Sequence, residues 1–132
     1  MRKAVFDTNV YISALITSGK QAEKAWFLAV ERQWEVYTSV AILTETAAIL
    51  RGKFRWEDEW IKKALRHIAR IARVIKPNTR LAILKDDPDN RILECVKHAG
   101  AEVIVTSDRH LLALSSFEGV AIMTLADFLD RE

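Results

Sequence analysis

Four carboxylates stand where the surrounding sequence makes an acid unusual. Asp7 follows the apolar run Ala4-Val5-Phe6 and precedes the pattern Val10, Ile12, Ala14 and Leu15, so it marks a buried strand turning into a helix. Asp108 repeats that arrangement after Val103-Ile104-Val105 and ahead of Leu111, Leu112 and Leu114. Either acid suits a helix cap equally well, because both face orphan backbone N–H groups. Glu45 falls inside a helical stripe of Ala41, Ile42, Ala48 and Ile49. A charge there needs a partner, a metal or a path to solvent at the helix end. Asp89 lies in the first turn of a helix, where the macrodipole favours an anion in any case. Gathered at one sheet edge, four such acids would raise one another's pKa, and a divalent cation is the natural way to keep them ionised. Oxygen ligands select hard ions, Mg²⁺ or Mn²⁺, and no Cys/His spacing suits zinc. His67, His98 and His110 are scattered and read as surface or half-buried helix residues. Such an ion activates water and stabilises a phosphodiester under in-line attack, which makes phosphate-ester hydrolysis the reaction class.

The elements that would position these acids alternate along the chain. A turn at Thr17-Ser18-Gly19-Lys20 precedes a helix through Ala22, Ala25, Trp26 and Ala29 that ends near Gln33. Val36-Tyr37-Thr38 is a strand, and Ser39 caps a helix from Val40 to Arg51 with Gly52 just past its end. The longest helical pattern runs from Trp56 to Ala72, followed by a short strand at Arg73-Val74-Ile75 and a break at Pro77. In Asp86-Asp87-Pro88-Asp89-Asn90, Asp87 is the expected cap and Pro88 the first helical residue of a helix reaching Gly100. Val103-Ile104-Val105 and Val120-Ala121-Ile122-Met123 complete the strands, and Thr124 caps a terminal helix. Short apolar strands without in/out alternation, separated by helices, predict a three-layer α/β/α sandwich on a central parallel sheet of four to five strands. In such sheets ligands collect outside the carboxyl ends of the strands, where Asp7 and Asp108 would lie.

A chain of 132 residues, half of them apolar, predicts one domain with its own core. The single Cys95 sits in an apolar helical pattern, where burial is expected, and a reducing, cytoplasmic setting fits. Too few apolar residues precede Asp7 for a signal peptide or a membrane span. The net charge of +2 identifies no partner, but its distribution is uneven. Lys62, Arg66, Arg70 and Arg73 form one basic stripe opposite Ile61, Ala64, Leu65 and Ile68, a candidate RNA-binding surface. Trp56 and Trp60, four apart, suit either a protein interface or the core.

Four segments together resemble the PIN-domain family of metal-dependent ribonucleases, especially the small prokaryotic branch that includes VapC-type toxins. They are Val5-Phe6-Asp7-Thr8-Asn9-Val10, Leu43-Thr44-Glu45, Asp89-Asn90-Arg91-Ile92-Leu93-Glu94 and Val103-Ile104-Val105-Thr106-Ser107-Asp108. The resemblance implies that Asp7, Glu45, Asp89 and Asp108 form the catalytic, metal-binding quartet, supported by Asn9, Thr106 and Ser107. Relatives often carry adjacent aspartates before the Asn, whereas Pro88 separates Asp87 from Asp89 here, so Asp86 is an alternative or additional third acid. The resemblance further implies an RNA substrate, a cognate antitoxin protein and a homodimer. Three other readings compete. An aspartyl-phosphate phosphatase of the haloacid-dehalogenase type wants a second Asp where this chain has Asn9, and a phosphoreceiver wants an Asp after the strand ending at Thr38. A non-catalytic RNA-binding or interaction module could use the same fold and the same acids.

Overall fold

The computed structural model describes residues 2–17 and 20–131. Strand β1 (Lys3–Phe6) leads into α1 (Thr8–Ile16), then α2 (Gln21–Val30), β2 (Glu35–Ser39), α3 (Val40–Gly52), α4 (Asp58–Ile71) and β3 (Arg73–Ile75). After an irregular segment come α5 (Asp87–Ala99), β4 (Val103–Val105), α6 (Arg109–Leu114), β5 (Ser116–Phe117), β6 (Val120–Met123) and α7 (Leu125–Asp130). Ser18 and Gly19, in the turn expected at Thr17–Lys20, lie outside the described residues.

The strands form one sheet in the order β3-β2-β1-β4-β6-β5. Five are parallel, and β5 runs antiparallel to β6. Successive strand residues point to opposite faces, and Ala4, Val5, Phe6, Val103, Ile104 and Val105 are all buried, so both faces of the sheet are covered. This is the layered α/β/α sandwich that the apolar strands predict. On one face Phe6 meets the rings of Tyr11 from α1 and Phe128 from α7, and Phe128 also meets Trp34. A smaller cluster of Ile12, Leu50 and Ile61, with Phe54 and Trp56 against it, joins α1, α3 and α4.

Several local expectations are corrected. The sheet has six strands, because Ser116–Phe117 folds back on β6 through Glu118 and Gly119, both at positive φ. That conformation of both central residues suits a tight hairpin. The helix at 87 begins one residue early, with Asp86 as its N-cap and Pro88 inside the first turn. The backbone N–H of Asp89 donates to the Asp86 carbonyl at 3.1 Å, closing that turn. The second helix ends at Val30, and Arg32 takes a left-handed conformation in the turn after it. Gly52 is the last helical residue of α3, while Gly100 closes α5 in the left-handed conformation, as its place after the apolar pattern predicts. Arg73 leaves the basic helix altogether. It starts β3 opposite Tyr37 and pairs with Glu35 at 3.2 Å.

Candidate metal centre at the carboxyl ends of the strands

Strand β1 lies between β2 and β4, and the chain departs to opposite sides of it, so the sheet's switch point falls at the ends of β1 and β4. Asp7 and Asp108 follow those two ends. The backbone N–H of Asp7 donates to the Val105 carbonyl at 2.9 Å, which locks the two strand ends together.

Asp7 is buried and held on both oxygens. Its Oδ1 accepts from the Thr8 N–H at 2.7 Å and its Oδ2 from the Thr106 hydroxyl at 2.7 Å. Thr106 Oγ1 in turn accepts from the Asp108 N–H at 2.9 Å, so one buried threonine sets both acids. Asp108 also caps α6, accepting from the N–H groups of His110 and Leu111. Capping and a place in the acidic site are therefore compatible at Asp7 and Asp108, because each carboxylate keeps further lone pairs beyond those the backbone uses. Burial pushes the Asp7 carboxyl up, against the lowering by its two hydrogen bonds, and the charges of Asp108 and Glu45 push it further.

Asp89 comes into the site from the first turn of α5. It is only 5% exposed, and its Oδ2 is buried without any hydrogen-bond partner. Burial first, then the charges of Asp108, Asp7 and Asp86, push its carboxyl up to about 7. Ligand atoms of Asp89, Asp108 and His110 lie within 4.8 Å of one another. Asp86 stays exposed at the helix cap, close enough to add repulsion but outside that trio. His110 is exposed, as its surface reading has it, yet its Nδ1 sits 3.8 Å from Asp108. Its spacing two residues after a strand-end acid was the available signal for that proximity.

Glu45 is half-buried and approaches from the other side, in a cleft with Thr8, Ala41, Ile42, Asp87, Pro88 and Arg91. Its charge reaches Asp7, but it stands apart from the trio of Asp89, Asp108 and His110. Asn9 and Ser107 are exposed and, among the described residues, make no hydrogen bond to the acids. Thr106 alone of the three expected supports touches an acid. A divalent cation fits this donor set: the orphaned Oδ2 of Asp89 is a buried acceptor without a partner, and the carboxylates of Asp89, Asp108 and Asp7 are the hard oxygen donors such an ion takes.

The residues behind the site were not legible as such. Asn90 is buried and clamps the irregular segment before α5, accepting from the N–H groups of Ile83 and Leu84 and donating to the Leu84 carbonyl. Glu94 accepts from the Leu81 N–H and from Arg91, both at 2.7 Å, and both side chains of that ion pair are largely buried. Cys95 is fully buried, and burial pushes its thiol up to about 12, which leaves it a core residue.

The basic residues Lys62, Arg66 and Arg70 are exposed, opposite the buried Ile61, Ala64 and Ile68. Because α4 delivers the chain to the start of β3, Arg70 and Arg73 lie toward the strand-start edge, away from the acids. Of the two tryptophans, Trp56 packs in the smaller core cluster and Trp60 is 57% exposed beside Lys63. No helix among the described residues is long and apolar enough to cross a membrane.

The sequence model of the PIN domain matches residues 3–110. An uncharacterised protein of Methanocaldococcus jannaschii is 34% identical over 116 residues, covering 85% of this chain and 74% of that protein. Among solved structures, DNA-bound VapBC from Salmonella typhimurium superposes with a TM-score of 0.68 at 18% identity, over 95% of this chain and 99% of that one. VapBC2 from Rickettsia felis, bound to a promoter DNA fragment, gives 0.64 at 14% identity, over 92% and 98%. With a family match across most of its length and a fold shared with these structures, the chain belongs to the PIN-domain family.

Proposed function

We propose that this PIN domain is a divalent-metal-dependent endoribonuclease, with Asp7, Glu45, Asp89 and Asp108 holding Mg²⁺ or Mn²⁺. The observation that carries this reading is the buried, unpartnered oxygen of Asp89 set among Asp108, Asp7 and His110. A bound divalent ion supplies an activated water and offsets charge on the phosphate. The protein's own part is to keep the acids placed before the ion arrives. Thr106 fixes Asp7 and the backbone of Asp108 together, the Thr8 N–H orients the second Asp7 oxygen, and the clamp by Asn90 steadies the chain leading into Asp89. Without the ion, Asp89 is the group that holds a proton near neutral pH, and ion binding releases it.

By analogy with the VapBC structures, the biological role is that of a toxin in a type II toxin–antitoxin pair, cytoplasmic, homodimeric and bound by a cognate antitoxin protein. The exposed Trp60 offers an aromatic anchor for one of those interfaces. A fluorogenic oligoribonucleotide assayed with Mg²⁺, Mn²⁺ or EDTA tests the activity. Cleavage should require the metal, and Asp7→Asn should lower it by roughly 100-fold or more. Glu45→Gln should also lose activity while holding or gaining thermal stability without metal, since a neutral amide in this half-buried cleft no longer repels the Asp7 carboxylate. Wild-type rates in either variant, in preparations cleared of host nuclease, contradict the shared-ion site.

A further inference from the structure

Beside the acidic cluster is a second cavity that the metal chemistry does not use. It has a volume of about 670 Å³ and is lined by Leu84, Lys85, Asp86, His110, Ala113 and Leu114. We propose that this cavity is a base-binding subsite, which takes the nucleobase next to the scissile phosphate of a single-stranded RNA. The proposal rests on the endoribonuclease reading and names where that substrate's base goes.

Three observations carry it. The first is continuity: His110 and Asp86 belong to both places. His110 lies in the trio with Asp89 and Asp108, and the charge of Asp86 is felt at Asp89. A phosphodiester at the acids therefore has one neighbouring nucleoside at the mouth of this cavity. The second is chemistry. Leu84, Ala113 and Leu114 give it apolar lining, and Lys85, Asp86 and His110 add a cation, a carboxylate and an imidazole. That is what an unstacked base requires, a surface for its flat face and hydrogen-bonding groups for its edge. The third is rigidity. Leu84 lies in an irregular segment, yet both of its backbone polar groups bond to the buried Asn90, at 2.8 and 2.9 Å, and Ile83 bonds to the same side chain. A wall held this way is formed before the ligand arrives, so little ordering cost is left to binding. The outward side chain of Ile83, 52% exposed, extends apolar surface along the same segment.

The test uses the full chain with Mg²⁺. Amide NMR spectra are followed on adding each of the four nucleoside 5′-monophosphates, or ribose 5-phosphate as a base-free control. At least one nucleotide should shift the amides of Leu84, Lys85, Ala113 and Leu114, ribose 5-phosphate should not, and Ala113→Trp and Ala113→Glu should each abolish those shifts. Ala113 is exposed on α6, and the two substitutions block the cavity by bulk and by charge respectively. Equal shifts from ribose 5-phosphate, no shifts, or shifts that survive both variants overturn the proposal. In parallel, a short oligoribonucleotide is compared with versions lacking the base on either side of the cleaved bond. Wild type should prefer the intact strand over one of them by roughly tenfold or more, and the ratio should fall to unity in Ala113→Trp. Indifference of wild type to both abasic strands overturns the subsite and leaves the nuclease standing. Nucleotide shifts at the cavity without any cleavage overturn the nuclease and leave the subsite standing.

Discussion

At the scale of single residues, Asp89 decides how the acidic cluster titrates. The folded protein keeps a proton on this carboxyl up to about pH 7, whereas an ordinary aspartate releases it near 3.8. The stability gained from that difference is fully present below the lower value and is lost as pH rises through the upper one. Asp7, also raised, acts in the same direction. The metal-free protein should therefore melt roughly 5 °C or more lower at pH 8 than at pH 5, and Asp89→Asn should flatten the slope. A variant with the slope of wild type would place the titration elsewhere. Asp7 and Asp108 could be singled out in the sequence because an acid after an apolar strand is rare and its position in a parallel sheet is fixed. Asp86 and Asp87 could not be sorted that way. Both are good caps beside one proline, and only the closed turn from Asp89 to Asp86 assigns the cap.

At the scale of elements, α5 carries the site and what supports it within two turns. Asp89 faces the other acids, while Asn90, Arg91 and Glu94 tie down the segment that precedes the helix. Glu94→Ala would leave the Leu81 N–H without its acceptor and the Arg91 guanidinium with only Asp87 at the exposed helix start and the Leu81 carbonyl. It should cost roughly 1–3 kcal/mol in a denaturant titration, and no measurable loss would show the ion pair to be dispensable. The basic face of α4 is the second element with a consequence. Lys62→Gln with Arg66→Gln should reduce the slope of log affinity against log salt for a non-cleavable RNA by roughly one to two units. Arg73→Gln should leave it unchanged, because Arg73 is paired with Glu35 at the far edge of the sheet. Equal effects from both changes would mean that RNA crosses the strand-start edge as well. The parallel strands were readable from β-branched runs such as Val103-Ile104-Val105. The pairing of Ser116–Phe117 was not, since two residues carry no period, and neither was the segment from 76 to 86, whose order comes from side chains of a helix that follows it.

At the scale of the whole molecule, topology accounts for why acids separated by about a hundred residues meet. The parallel order puts the ends of β1 and β4 side by side, α3 leaves the end of β2 with Glu45 in its second turn, and α5 starts at the same edge. That convergence follows from the predicted fold class, so the meeting of these acids at one sheet edge was legible once the strands were parallel. His110 and the adjoining cavity were not, because both depend on how the short α6 sits against the segment before α5. The central claim is that these acids form one divalent-cation site. Titration of Mn²⁺ into the metal-free protein, read by the electron paramagnetic resonance of the free ion, tests it most directly. Wild type should bind Mn²⁺, and Asp89→Asn and Asp108→Asn should each weaken binding by roughly tenfold or more while remaining folded, since Asn caps α6 as well as Asp does. Equal affinity in wild type and both variants, or no binding to wild type, would contradict the account.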